Sequence, residues 1–330
     1  MIKFWVTNAR PTSLPQSILP SVVAVCLAIS AADFSWGLAI LAVLGVALGH
    51  LGLNLFDDYF DYKKKNSTYR DELVHEGFRV RIGKCPYLTS GQATLRHLLV
   101  ACLVFCGVAV ILGAIIWWFR GRFVVYVAAL AAVLGIFYSG PPLRLSYHGF
   151  GELLIGLIFG PLNMIGTYYA ACGQVDSTIL LISVPVGLLV MNIVYVHSIL
   201  DFIPDKKIGK RTLAVLLNNT TAMLVVLFLV IFVPFGIIAW GIFTGGLPVW
   251  VAGVFLTFPL AISLFYLMLE CVKHPDRQFA PKFWMGPMAH WERMQQAGID
   301  WFMIRWFSAR NLLSFFCLII VILSVYKLFV

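Results

Sequence analysis

Charged side chains are scarce in this 330-residue chain. Only 12% of its residues are Asp, Glu, Lys or Arg, whereas 61% are hydrophobic and the mean hydropathy is +0.90. Soluble domains carry charge on about a quarter of their residues, so the composition excludes that class. The hydrophobic residues are gathered into long runs almost free of charge, which is typical of helices that cross a lipid bilayer.

Nine such runs predict an all-α, polytopic membrane helical bundle of about nine transmembrane helices. Pro161, next to Gly160 inside the fifth run, predicts a kink. We expect residues 1–330 to form a single domain. The predicted spans are about 14–32, 36–57, 95–118, 123–139, 150–171, 178–200, 214–243, 247–270 and 311–329. The predicted polar loops on the N-terminal side are about 58–94, 140–149, 201–213 and 271–310.

Basic residues are scarce on one side of the predicted bundle. Of the 24 basic residues, 21 fall in the N-terminal tail, the four polar loops or, for Arg96, directly beside the first loop, and only Arg120, Arg122 and Lys327 fall on the other side. The positive-inside rule therefore places the N-terminus and these loops in the cytoplasm. We expect the chain to lie in the inner (plasma) membrane. The formal charge of +9 follows from this asymmetry, so we expect the lipid bilayer and not nucleic acid as a partner. The first run lacks a clear cleavage site and is expected to be a retained span.

Cysteine patterns typical of metal sites are absent. The seven cysteines show no CxxC spacing and lie mostly in apolar runs. We expect buried free thiols, and neither a disulfide framework nor a zinc site.

Acidic residues are few, yet three of them fall together at the end of the second apolar run. Asn54, Asp58 and Asp61 share one helical face, and Asp57 lies beside it. Clustered carboxylates repel one another unless a cation binds them. Oxygen ligands of this kind suit Mg²⁺, which takes substrate phosphates among its remaining ligands.

A second acidic pair closes the sixth run. Asp201 and Asp205 are separated by one helical turn, and four cations follow them directly. Acids at one helix end can simply mark the membrane boundary, but two such motifs on the same side favour a site for a metal-bound polyanion. The four cations are Lys206, Lys207, Lys210 and Arg211.

These motifs resemble the two aspartate-rich motifs of UbiA-type intramembrane prenyltransferases. The branch that prenylates 1,4-dihydroxy-2-naphthoate in menaquinone biosynthesis is the most similar. Further matching segments are Ala9-Arg10-Pro11, Arg81-Ile82-Gly83, Ser90-Gly91, Tyr138-Ser139-Gly140-Pro141-Pro142, Gly166-Thr167-Tyr168-Tyr169 and Gly209-Lys210-Arg211-Thr212-Leu213. The chain departs from the branch at Asp57, which replaces Asn, and at His197, Ser198 and Leu200, which replace two amides and an arginine.

The resemblance implies Mg²⁺- or Mn²⁺-dependent transfer of a polyprenyl group from an allylic prenyl diphosphate to an aromatic acceptor. The implied metal and catalytic residues are Asn54, Asp58, Asp61, Asp201 and Asp205, with Asp57 as a further metal ligand. The implied diphosphate-binding cations are Arg10, Arg81, Lys84 and Lys210. The apolar bundle is expected to hold the prenyl chain and to exclude water.

Two alternatives remain open from the sequence. The first is the same chemistry on another acceptor, such as 4-hydroxybenzoate, homogentisate, haem or a glycerol phosphate. The second is a transporter or channel, because acids at helix ends can form ion pathways. Transporters usually place their sites near the membrane midplane, where this chain has no matching acids.

Overall fold

The computed structural model describes residues 2–63 and 85–329, and within these ranges the chain is helical with no β-strand. The prediction of an all-α membrane bundle is confirmed. The helices are α1 (Ile2–Asn8), α2 (Pro15–Ala28), α3 (Trp36–Lys63), α4 (Pro86–Thr89), α5 (Leu95–Arg120), α6 (Arg122–Ser139), α7 (Gly151–Leu157), α8 (Asn163–Cys172), α9 (Ser177–Leu200), α10 (Phe202–Lys207), α11 (Leu213–Leu217), α12 (Thr220–Phe243), α13 (Phe258–Lys273), α14 (Trp291–Gln296) and α15 (Asp300–Tyr326). Short 3₁₀ segments lie at Pro11–Ser13, Leu145–Tyr147, Val249–Thr257 and Phe283–Met285, and a π-helical turn lies at Ile158–Leu162.

Eight helical segments in the described part of the chain are long and apolar enough to cross a membrane. They correspond to the second to ninth predicted spans. The first predicted span forms the shorter helix α2, whose 14 residues extend about 21 Å. Pro15 starts α2, and the chain turns between Ser30 and Asp33. Helix α2 is therefore shorter than a full membrane span, although it packs in the bundle between α8 and α15.

The fifth span is interrupted where its proline predicts a kink. Helices α7 and α8 are joined by the π-helical turn that contains Pro161, which has no N–H to donate within the helix. At this turn the backbone approaches α9 closely. A Cβ added to Gly160 would lie 2.3 Å from the Cα atom of Gly187. The kinked span and α9 thus meet backbone to backbone.

The last span begins at Asp300, well before the predicted start near residue 311. The predicted start excluded the charged residues Asp300, Arg305 and Arg310, of which Arg305 is buried in this helix. Its guanidinium donates to the carbonyl oxygen of Leu267 (3.0 Å) and to that of Trp301. A charge satisfied in this way is accommodated inside the bundle, but it lowers the hydropathy from which the span was predicted.

Helix α9 lies at the centre of the bundle. It packs against α7, α12 and α15, and 72% of the most apolar 18-residue stretch of this helix is buried. By contrast, α5 and α6 leave most of their apolar side chains exposed, as lipid-facing helices do. The molecule is a multi-pass membrane protein. Since α9 ends at Leu200, its packing fixes the position of the second acidic motif that follows directly.

Candidate active site

The first acidic motif occupies the last turns of α3. Asp58 and Asp61 are buried, with 3% and 4% of their surface exposed. Tyr87 donates a hydrogen bond to Asp58 Oδ2 (3.0 Å), and Tyr147 donates one to Asp61 Oδ1 (2.5 Å). Each carboxylate is therefore held by a tyrosine from a separate short helical segment, α4 for Tyr87 and the 3₁₀ turn Leu145–Tyr147 for Tyr147, and this support fixes its orientation.

Arg10 joins the N-terminal segment to this motif. Its Nη2 atom lies 3.2 Å from both Asp57 Oδ2 and Asp58 Oδ1, and it donates to the carbonyl oxygen of Asn54 (2.9 Å). Burial opposes the charge of this guanidinium, but the two carboxylates outweigh burial and raise the pKa of Arg10 above its ordinary value. Arg10 therefore stays charged beside both aspartates.

Asn54 links the same two segments by its side chain. Its Nδ2 atom donates to the carbonyl oxygen of Ala9 and to Ser13 Oγ, both at 3.0 Å. The amide thus holds the chain around Arg10, which has a left-handed φ of 59°. Asn54 acts here as a structural support for Arg10.

The second acidic motif begins where α9 ends. Asp201 precedes α10 and Asp205 lies in its first turn, and both are buried. His197 Nε2 lies 3.1 Å from Asp201 Oδ2, one helical turn earlier. His197 thus contacts an acidic side chain of the site directly.

A cavity of about 120 Å³ brings the two motifs together. Asp57 from α3 and the pair Asp201 and Asp205 line it, together with the cations Arg10 and Lys210. The remaining lining residues are Tyr138, Ser146, Gly151, Glu152, Val194, His197, Ser198 and Thr212. Carboxylates that are far apart in the sequence therefore face one space that also holds two positive charges.

The other predicted site residues lie behind this cavity or outside the described chain. Asp58 is connected to the cavity through Arg10, and Asn54 and Asp61 support the same end of α3. Arg81 and Lys84 fall outside the described residues.

Several residues of the site were not identified from the sequence. The supporting tyrosines Tyr87 and Tyr147 carry no pattern that distinguishes them from interfacial tyrosines. Glu152 does carry one, since it is an isolated acid at the start of an apolar span, and such residues are often functional.

The donor set fits a magnesium ion bound together with a phosphate-bearing substrate. Within the described ranges, no three His, Cys, Asp or Glu side chains form a ready metal cluster. Mg²⁺ does not need such a cage, because it commonly uses one or two carboxylates, water and substrate phosphates. Asp57, Asp201 and Asp205 supply carboxylate oxygens around a space that the cations make favourable for a polyanion.

The amino-acid sequence matches a known protein family. A model of the UbiA prenyltransferase family matches residues 17–291. Among curated relatives, a 1,4-dihydroxy-2-naphthoate octaprenyltransferase of Bacillus subtilis is 27% identical over 261 residues, which cover 77% of this chain and 78% of the relative. The enzyme of that name from Mycobacterium tuberculosis is 28% identical over 215 residues, covering 65% of this chain and 70% of the relative.

Solved structures share the fold at low sequence identity. A digeranylgeranylglyceryl phosphate synthase superposes with a TM-score of 0.63 at 14% identity and covers 98% of this chain and 99% of its own. A UbiA homologue from Archaeoglobus fulgidus bound to GPP and Mg²⁺ gives a TM-score of 0.58 at 16% identity, covering 93% of this chain and 99% of its own.

Proposed function

Because this chain belongs to the UbiA prenyltransferase family and is a membrane-embedded prenyltransferase, we propose that it transfers a polyprenyl group from an allylic diphosphate to 1,4-dihydroxy-2-naphthoate. The observation that carries the proposal is the single cavity shared by Asp57, Asp201 and Asp205. The names of two relatives contain 1,4-dihydroxy-2-naphthoate, which supports this compound as the acceptor. The menaquinone pathway is then the expected context.

Positive and negative groups of the site have complementary roles. Mg²⁺, or Mn²⁺ in its place, supplies positive charge for the departing diphosphate. The ligand candidates that line the cavity are Asp57, Asp201 and Asp205, and Asn54, Asp58 and Asp61, which lie behind it, stay predicted as further ligands. Arg10 and Lys210 line the cavity and bind diphosphate oxygens directly, and Arg81 and Lys84 stay predicted as further cations.

The reaction forms one carbon–carbon bond, between the prenyl group and the ring carbon that bears the carboxylate. It breaks two bonds, the allylic carbon–oxygen bond and the carbon–carbon bond between the ring and its carboxylate. The allylic C–O bond breaks with both electrons leaving on the diphosphate, and an electron-rich ring carbon attacks the resulting allylic cation. The ring then loses its carboxylate as CO₂, which restores its aromatic system. The apolar helices exclude water, which would otherwise capture the cation.

The site is expected on the cytoplasmic side of the inner membrane. The asymmetry of the basic residues supports this orientation, because both acidic motifs lie next to lysine- and arginine-rich segments.

The purified full chain in lipid nanodiscs tests the function directly. It is incubated with a radiolabelled prenyl diphosphate, Mg²⁺ and one acceptor at a time: 1,4-dihydroxy-2-naphthoate, 4-hydroxybenzoate or homogentisate. We expect labelled product with the naphthoate, loss of product with EDTA, and recovery with excess Mg²⁺ or Mn²⁺. Product with another acceptor alone would overturn the acceptor assignment, and undiminished product in EDTA would overturn the metal dependence.

A further inference from the structure

Glu152 is a buried acid that the two aspartate motifs do not include. Only 1% of its surface is exposed, at the first turn of α7. Its Oε1 atom accepts hydrogen bonds from Ser198 Oγ (2.5 Å) and from the backbone N–H of Leu213 (3.1 Å). These two donors come from α9 and α11, so the carboxyl group is held from two sides.

The second oxygen of Glu152 has a different environment. Oε2 is buried and has no hydrogen-bond partner among the described residues, although Glu152 lines the active-site cavity. A buried carboxylate oxygen without a donor is costly, and native proteins seldom retain one without a reason. The oxygen is therefore positioned for a donor that enters the cavity.

Two hydroxyl groups that line the same cavity are also buried without a hydrogen-bond partner among the described residues. Ser146 Oγ and Thr212 Oγ1 are buried and have no hydrogen-bond partner within the described chain, and both residues line the cavity with Glu152. The three groups come from different segments: the loop before α7, α7 itself and the residue before α11. We define these three residues and the apolar Val194, which all line the cavity, as its hydroxyl wall, and Lys210 interacts electrostatically with Glu152.

The chemistry of this wall suits a hydroxylated aromatic ring. A carboxylate accepts a hydrogen bond from a ring hydroxyl, and serine and threonine hydroxyls can both donate and accept. Glu152 repels the several negative charges of a diphosphate more strongly than the single carboxylate of the acceptor, and Arg10 and Lys210 offer the larger charge a favourable place in the same cavity.

We propose that Glu152, with Ser146 and Thr212, forms the subsite for the aromatic acceptor, in which Glu152 Oε2 accepts a hydrogen bond from a ring hydroxyl. This assignment rests on the proposed function and adds how the acceptor is recognised. A hydroxyl that donates to a carboxylate increases the electron density of its ring. The bond therefore orients the acceptor and also favours attack by the neighbouring ring carbon.

The substitution Glu152→Gln tests this assignment with little structural change. The glutamine oxygen can still accept from Ser198 and Leu213, while its NH₂ group replaces the accepting Oε2 with a donor. We expect the KM for 1,4-dihydroxy-2-naphthoate to rise at least about tenfold, since a hydrogen bond to a charged group is lost. The KM for the prenyl diphosphate, the Mg²⁺ requirement and the midpoint of thermal unfolding should stay at wild-type values.

Glu292→Gln is the matched control, because Glu292 is exposed on α14 and does not line the cavity. An unchanged acceptor KM in Glu152→Gln would overturn the assignment and leave water as the partner of Oε2. A raised KM for the diphosphate, or a raised Mg²⁺ requirement, would place Glu152 with the metal site. A lower unfolding midpoint with both KM values unchanged would reduce its role to structure.

Equilibrium binding tests the Glu152 subsite independently of the proposed prenyl transfer. Wild type, Glu152→Gln and Glu292→Gln are compared for binding of 1,4-dihydroxy-2-naphthoate and of its dimethyl ether. We expect wild type and the control to prefer the free hydroxyl form by about tenfold, and Glu152→Gln to lose that preference. If wild type forms no prenylated product but shows this preference, only the proposed reaction fails. If it forms product and the preference is absent or survives in Glu152→Gln, the Glu152 subsite fails.

Discussion

At the scale of single residues, the site depends on charges that balance one another. The Nη2 atom of Arg10 lies 3.2 Å from a carboxylate oxygen of both Asp57 and Asp58, and Tyr87 holds the other oxygen of Asp58. Burial and the nearby carboxylate raise the pKa of Tyr87 above its ordinary value, so its hydroxyl stays a donor at neutral and mildly alkaline pH. Asp57 and Asp58 are thus paired with a cation, and Asp58 is also oriented by Tyr87.

Removing the charge of one aspartate should abolish transfer without unfolding the protein. Asp58→Asn keeps an oxygen for Tyr87, and Asp201→Asn keeps the shape of the second motif. We expect turnover in either variant to fall at least about 100-fold, because loss of a supporting group alone costs 10- to 100-fold at metal sites. Product formation in nanodiscs measures this, with thermal unfolding as the check on folding.

Asp33→Asn is the control for these two variants, since Asp33 is exposed in the turn before α3. It should retain wild-type turnover. Turnover within about threefold of wild type in Asp58→Asn or Asp201→Asn would contradict a site that uses both motifs.

Tyr87→Phe isolates the support of Asp58 from its charge. The substitution removes only the hydroxyl that donates to Oδ2 at 3.0 Å. We expect turnover to fall by about 10- to 100-fold and the Mg²⁺ concentration for half-maximal activity to rise. Tyr126→Phe, at an exposed position of α6, should change neither quantity. An unchanged Mg²⁺ dependence in Tyr87→Phe would show that the hydroxyl does not support the metal site.

The sequence identifies the charged residues of the site better than their partners. The spacing of Asp201 and Asp205 is local and follows from helical geometry, so it can be recognised without a structure. The contact between Arg10 and Asp57 joins residues 47 positions apart and depends on how α2 and α3 pack. The support of Glu152 by Ser198 depends likewise on packing between spans, which hydropathy does not encode.

At the scale of helices, the sequence predicts where a helix is interrupted, but it does not predict contacts between distant segments. Pro161 predicts the interruption between α7 and α8, because a proline cannot complete a helical hydrogen bond. The early start of α15 was missed, because the partners of Arg305 lie on α13 as well as on its own helix. The backbone contact of Gly160 with Gly187 also appears only in the folded chain.

That backbone contact should make Gly160→Ala destabilising. The added methyl group would lie 2.3 Å from Gly187 Cα and 2.7 Å from its nitrogen, and neither backbone atom can move without displacing α9. We expect a cost of about 1–3 kcal/mol and a lower midpoint of thermal unfolding in nanodiscs. Activity should fall as well, because the second acidic motif directly follows the end of α9.

Gly236→Ala provides the matched control. Gly236 lies in α12, and a Cβ there would meet no atom of the described chain within 4 Å. Alanine is favoured over glycine in a helix by about 0.5–1 kcal/mol, so this variant should unfold at the same temperature or higher. Equal unfolding midpoints for Gly160→Ala and wild type would contradict the close crossing of the kinked span and α9.

At the scale of the whole molecule, the distribution of charge predicts the orientation of the chain in the membrane. Helix α12 and the segment Val249–Lys273 form an antiparallel pair of spans. Thr244 lies at the turn between them and Lys273 at the far end of the second span, and both residues are exposed. The positive-inside rule assigns Lys273, with the acidic motifs, to the cytoplasm and Thr244 to the opposite side.

Single cysteines at these two positions measure the orientation. In intact cells, a membrane-impermeant maleimide should label Thr244→Cys and leave Lys273→Cys unlabelled, and both should react after the membrane is permeabilised. The unsubstituted chain gives the background, since the described native cysteines are buried or half-buried. Labelling of Lys273→Cys but not Thr244→Cys in intact cells would place both aspartate motifs outside the cytoplasm. A diphosphate donor made in the cytoplasm would then have no access to Asp57, Asp201 and Asp205, so the orientation bears directly on the proposed reaction.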